Sequence, residues 1–402
     1  MQWSKKLWQT PTEKSEWERS YSNEALTRID YQLLWCIIAL MSIGFVMVFS
    51  ASISLSDSPK YATTPHAFLV KQMLFSLIGV LVARFVVFNI PMRRWQQFTM
   101  PVGVIAVALL LLVAFTPLGK EVNGSVRWLQ LGPINLQVSE ISKFSTVIVA
   151  ARFAVTRQLF MHSFIRGLMP ILCYMLFMAY LIMSQPDLGA TVVVCSIAIG
   201  IVFLGGLAMR IVASLIGAGV LGIFCAIVFA PWRVERVLAY LDPWAPGHVF
   251  DKAYQLTHSL IAFGRGELLG VGLGASVEKM HYLPEAHTDF ILAVIGEELG
   301  LLGVTVVLLL FYFLIRRSFE IGRQAIRLGS FFSGFVAQGV GVWFGIQTVI
   351  NVAVVSGLVP TKGLTLPLIS YGGSSMVIML CMLAVLFRVD YENRRMMYGK
   401  GS

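Results

Sequence analysis

Polar and ionisable residues gather at the starts of four long apolar stretches of this 402-residue chain. Glu140 and Lys143 open one stretch, and Gln185 and Asp187 stand just before another. Glu285, His287, Thr288 and Asp289 precede a third. The run from Pro360 to Ser375, with Lys362, Ser370, Ser374 and Ser375, precedes the fourth. Ionisable groups are expensive in apolar surroundings, so each cluster is a functional candidate. A positioned carboxylate such as Asp289 can take a proton from a hydroxyl. Lysines and the free N–H groups of helix starts can hold phosphate, and the Gly372-Gly373-Ser374-Ser375 run offers such groups. Structural readings stand beside these. Glu140 and Lys143, three residues apart on a helix, could pair with each other. Asp187 could cap the next helix. The glycines between 264 and 274 read as a turn, because the strand context of a phosphate loop is missing. The spacing of His281, Glu285, His287 and Asp289 matches no standard metal signature, so no metal site is expected. Glu297 and Glu298 read equally as helix–helix contacts or as part of a polar pathway.

The elements that carry these residues are apolar. Hydrophobic residues make up 57% of the chain and charged residues 13%. Ten blocks are long enough to span a bilayer as helices: about 31–53, 67–89, 98–117, 138–155, 168–184, 188–206, 211–230, 289–315, 332–356 and 368–388. The expected fold is an all-α integral membrane bundle of ten helices over 31–388, flanked by cytoplasmic tails 1–30 and 389–402. Basic residues concentrate in alternate connections, such as Arg93-Arg94, which places both termini inside. The net charge of +10 is thus a topology signal and not a nucleic-acid footprint. The loop 231–284 is charge-balanced and falls outside, with an amphipathic helix ending at Gly264. The five cysteines lie in apolar blocks without a CxxC pair and read as buried thiols. In this topology all four polar clusters face outward, at the N-terminal ends of helices four, six, eight and ten.

Five motifs in order carry a resemblance to a known family. They are Gln185 to Gly189, Ala262 to Leu268, Leu283 to Phe290, Gly296 to Gly300, and Pro360 to Ser375. With the apolar pattern from about 30 to 395, the chain resembles the SEDS family (shape, elongation, division and sporulation). Lys362 in its motif and the charged N-terminal tail favour the division branch over the elongation branch.

The resemblance implies a peptidoglycan glycosyltransferase that polymerises lipid II at the periplasmic face of the inner membrane, at the septum, releasing undecaprenyl pyrophosphate. It implies a class B penicillin-binding protein and other division proteins as partners. It also implies Asp289 as the catalytic residue, with Arg127, Glu140 and Lys143 in the same cavity. The chemistry of the residues fits that reaction. An acceptor hydroxyl needs one base, and a pyrophosphate leaving group needs cations, for which Lys143, Arg127 and Lys362 are candidates. No tightly bound cofactor is expected, while a divalent cation such as Mg²⁺ or Mn²⁺ is left open. The alternatives are a lipid II flippase and a scaffold that recruits the septal transpeptidase. A flippase needs polar residues through the full depth of the bundle, whereas here they crowd the outer mouth.

Overall fold

The computed structural model describes residues 29–57, 64, 66–122, 125–132, 134–161, 167–360 and 363–398. The expected tail 1–30 lies almost wholly outside the described residues, as does Lys362. Each of the ten apolar blocks is a helix. They are α1 (Tyr31–Ser52), α2 (Ala67–Asn89), α4 (Thr99–Phe115), α5 (Val138–Thr156) and α6 (Met169–Met183). The series continues with α7 (Leu188–Leu204), α8 (Met209–Val228), α12 (Ile291–Arg327), α13 (Phe331–Val355) and α14 (Gly373–Met397). Short helices α3 (Met92–Gln97), α9 (Pro231–Leu241), α10 (Pro246–Val249) and α11 (Tyr254–Gly266) lie between them. Among the described residues, five helices, α1, α2, α12, α13 and α14, are long and apolar enough by themselves to cross a membrane.

Polarity runs inside out relative to a water-soluble domain. On α2, Met73, Leu74, Leu77, Leu81 and Phe85 are exposed, while Gln72 and Ser76 are buried against the bundle. That arrangement suits lipid outside and polar contacts within. It also corrects the expectation of five buried thiols. Cys173 is exposed on α6, on the same outward face as Leu176, Phe177 and Tyr180.

The fold departs from all-α at one place. Strands β1 (Gly119–Val122), β2 (Ser125–Leu131) and β3 (Ile134–Gln137) form an antiparallel sheet with β2 in the middle. These strands are too short and polar to stand out beside apolar helices, but Asn123-Gly124 is a hairpin signal in the sequence. β3 runs directly into α5, so the sheet sets the position of that helix start.

Helix boundaries also differ, and α14 runs on to Met397, through much of the expected tail 389–402. α12 continues to Arg327, through most of the expected inner connection 316–331, where Arg316 and Arg317 pair with Glu320 one turn on. Arg317 also reaches Asp30, the N-cap of α1, at 2.5 Å. α14 starts at Gly373 and not at 368, because the segment before it is irregular.

α12 kinks at Gly300, whose φ of 67° and ψ of −166° favour glycine. A kink frees backbone groups that lipid cannot satisfy. Here the loop after α11 satisfies them. Val271 and Gly272 donate to the Glu297 and Glu298 carbonyls, and Leu301 and Leu302 donate to those of Glu267 and Leu268. The two acids complete the join. Glu298 accepts from Lys279 Nζ at 2.6 Å, and Glu297 from Ser276 at 2.5 Å and the Val277 N–H at 3.0 Å. Glu297 and Glu298 therefore fasten loop 267–280 to α12. The helix before that loop runs to Gly266, two residues past the expected stop at Gly264.

Candidate active site

Asp289 sits in the turn that enters α12, and three successive carbonyls fix its backbone. The Tyr371 N–H donates to His287 O at 3.0 Å, Ser370 Oγ to Thr288 O at 2.6 Å, and Asn351 Nδ2 to Asp289 O at 2.9 Å. Within the turn, Thr288 Oγ1 donates to the Glu285 carboxylate at 2.8 Å. His287 is buried with its ring against Phe68 and Tyr371, and that burial lowers its pKa. The Asp289 carboxylate, half-buried, accepts no hydrogen bond among the described residues.

That carboxyl is pushed up to about 7. Desolvation is the main cause, and the charge of Glu285 adds to it. Arg127 opposes the shift and Asp187 adds a smaller upward push. A carboxylate titrating there is matched to general-base work at neutral pH. Gly363 leaves the room it occupies, because a Cβ at that position would lie 2.6 Å from Asp289 Oδ2.

Strand β2 carries Arg127 to the turn between α6 and α7. Arg127 Nη2 donates to Pro186 O at 2.8 Å, and its Nε lies 3.8 Å from Asp187 Oδ2. Asp187 caps α7 by accepting from the Ala190 N–H at 3.0 Å. The capping reading of Asp187 holds, and the same carboxylate orients Arg127. Gln185 donates to Leu110 O at 3.3 Å.

Glu140 and Lys143 do pair, at 2.6 Å, with Lys143 only 1% exposed. Lys143 Nζ also donates to Gln347 Oε1 at 2.9 Å. Gln347 Nε2 donates to Thr365 O, and one turn on, Asn351 donates to both Leu364 O and Asp289 O. The buried pair therefore anchors the segment after Gly363 and, through Asn351, the turn of Asp289. Among the described residues, Glu140 Oε2 is buried without a hydrogen-bond partner.

The serine run serves the scaffold more than an open anion cradle. Ser374 Oγ accepts from the Gln137 N–H at 3.0 Å, Ser375 is buried, and Gln72 Oε1 takes the Gly372 N–H at 3.2 Å. Gln72 Nε2 also donates to Ser370 O at 3.1 Å, so one amide clamps residues 370 to 372. Sequence reasoning passed over Gln72, Gln347 and Asn351. Their signal was available, since each is a polar amide inside an apolar span.

Among the described residues, no three His, Cys, Asp or Glu side chains are grouped to hold a metal ion. His281 is exposed, outside the cluster around Asp289.

Residues 31–395 match the model of the cell cycle protein family that groups FtsW, RodA and SpoVE. The chain belongs to this family. It is the SEDS family of the sequence resemblance. A relative in Burkholderia thailandensis, named probable peptidoglycan glycosyltransferase FtsW, is 53% identical over 372 residues, covering 92% of this chain and 80% of the relative. A relative of the same name in Polynucleobacter necessarius is 49% identical, covering 92% and 88%. Among solved structures, one chain of a peptidoglycan synthase complex superposes with a TM-score of 0.73 at 27% identity. That match covers 91% of this chain and 99% of the other. Thermus thermophilus RodA, a rod shape determining protein, gives a TM-score of 0.67 at 25% identity, covering 91% and 98%.

Proposed function

We propose that this FtsW-family protein is a peptidoglycan glycosyltransferase polymerising lipid II at the outer face of the inner membrane, at the septum. The observation that carries the reading is the Asp289 carboxylate. Its turn is held by three backbone contacts while its own oxygens stay open to a substrate. In the reaction, Asp289 takes the proton of the acceptor sugar hydroxyl. The hydroxyl oxygen then bonds the anomeric carbon of the donor. The bond from that carbon to the phosphate oxygen breaks, and undecaprenyl pyrophosphate leaves with the electron pair. Arg127, partly exposed beside the site, and Lys362 would hold the leaving group. Mg²⁺ or Mn²⁺ carried on a pyrophosphate needs as few as one protein carboxylate, for which Glu285 would serve while Asp289 stays free as the base.

The flippase reading is disfavoured by the mid-depth acids. Glu297 and Glu298 are fully buried and engaged by the loop 267–280, and so supply no polar path. The partner is a class B penicillin-binding protein, in line with the likeness to a chain of a peptidoglycan synthase complex.

Three expected results test this reading. Polymerisation should rise with pH and level off above about 7, because Asp289 must be ionised to act and its carboxyl titrates there. Below that pH the rate should fall roughly tenfold per unit. A rate that is flat or higher at pH 5.5 would remove Asp289 as the base. Gly363→Ala should fold normally yet polymerise at least roughly tenfold more slowly, since the new Cβ displaces the carboxylate. Normal turnover would mean that the position of Asp289 is not critical. The proposed topology has ten spans, both termini cytoplasmic and loop 231–284 periplasmic. Reporter fusions at 240–250 should therefore read periplasmic, and those at 160 and 322 cytoplasmic; the opposite result for 240–250 would invert the site.

A further inference from the structure

The end of the bundle opposite Asp289 holds a cavity of about 490 Å³. α3, the end of α5, the start of α13 and the last turns of α14 line it. Its polar lining is Arg93, Gln96, Arg388, Arg395, Glu392, Ser330 and Ser333. Three arginines thus line the space with one acid, and Arg395 also lies over the Tyr391 ring. Glu392 Oε1 accepts from Arg388 Nε at 2.7 Å and from the Met92 N–H at 3.0 Å. Arg388 is only 8% exposed, with a second contact from Nη1 to Val87 O at 2.8 Å. Ordinary topology arginines lie in water-facing loops. Here, arginines on α3 and α14 converge on one half-open cavity. The volume falls within the usual range for a small-molecule site, roughly 300–1,000 Å³.

We propose that this cavity binds the phosphate headgroup of an anionic phospholipid from the cytoplasmic leaflet. The guanidinium fork matches phosphate oxygens, and the two serine hydroxyls can donate as well. Exposed apolar side chains suited to acyl chains belong to the lining or follow it closely in the chain. Phe331 lines the cavity and is 39% exposed, and Phe98 and Met100, just after α3, are 55% and 70% exposed. A soluble phosphate would gain nothing from that apolar rim. The leaflet rests on the topology proposed above, but the binding chemistry does not.

The test uses the full chain, purified in detergent, with retention of added phosphatidylglycerol and phosphatidylcholine compared by native mass spectrometry. The wild type should retain phosphatidylglycerol preferentially. Arg93→Ala or Arg395→Ala should each lower that preference roughly 5-fold, and the double variant roughly 30-fold. Arg93→Lys should keep most of it. Glycan polymerisation should persist in the double variant, since Asp289 lies at the other end; that separates lost binding from lost folding. Equal retention of the two lipids by the wild type, or an unchanged preference in the double variant, would overturn the proposal. So would displacement of phosphatidylglycerol by an equal concentration of glycerol 3-phosphate, which would make the ligand a soluble phosphate. An inverted topology would appear only in the reporter fusions, leaving the lipid preference intact.

Discussion

Asp289→Asn is expected to fold and insert normally and to lose at least ~10²-fold in glycan polymerisation. The exchange keeps the side-chain volume and removes the carboxylate that takes the acceptor proton. Folding should be spared because the turn is held by backbone carbonyls and not by the carboxylate. It should even benefit slightly, since burial and the neighbouring Glu285 charge disfavour the ionised form. Purified variant and wild type are compared for polymer formed per protein and for thermal unfolding. Near-normal turnover would make Asp289 structural.

Lys143→Met is expected to lose most folded protein, and Glu140→Gln to restore much of it. Both side chains are almost fully buried at 2.6 Å from each other. Removing the lysine leaves Glu140 as an uncompensated charge in a membrane bundle, a change of about 3–5 kcal/mol. Removing both charges together is far milder. Sequence alone favoured Lys143 on the pyrophosphate, where no rescue is expected. The observed contacts of Lys143 with Glu140 and Gln347 reverse that expectation. Yield and unfolding temperature of the two single variants and the double variant measure it. A double variant no better folded than Lys143→Met would return the lysine to the substrate.

The helices were legible because each is an apolar run of bilayer length, a signal that needs no tertiary information. Asp289 was legible as an acid at the mouth of such a run. What escaped was set by contacts distant in sequence. The joining of loop 267–280 to α12 depends on Lys279 meeting Glu298, and on a kink at Gly300 whose freed groups the loop completes. Nothing local in either segment announces that pairing. Arg127 was placed at the site by resemblance, but the strand that presents it is short and polar, and only Asn123-Gly124 marked a hairpin. The serine run illustrates a different limit. Its composition suits an anion cradle, yet Gln72, some 300 residues away, already holds the Gly372 N–H.

The central claim is that the mouth around Asp289 joins sugars and does not merely pass lipid II across the membrane. The direct measurement reconstitutes the purified protein in liposomes with lipid II, alone and with the class B penicillin-binding protein proposed as its partner. Polymer length and lipid II translocation are followed in the same vesicles. The account predicts glycan strands and undecaprenyl pyrophosphate from the wild type, lost in Asp289→Asn. Translocation of lipid II without polymer, equal in wild type and Asp289→Asn, would contradict it.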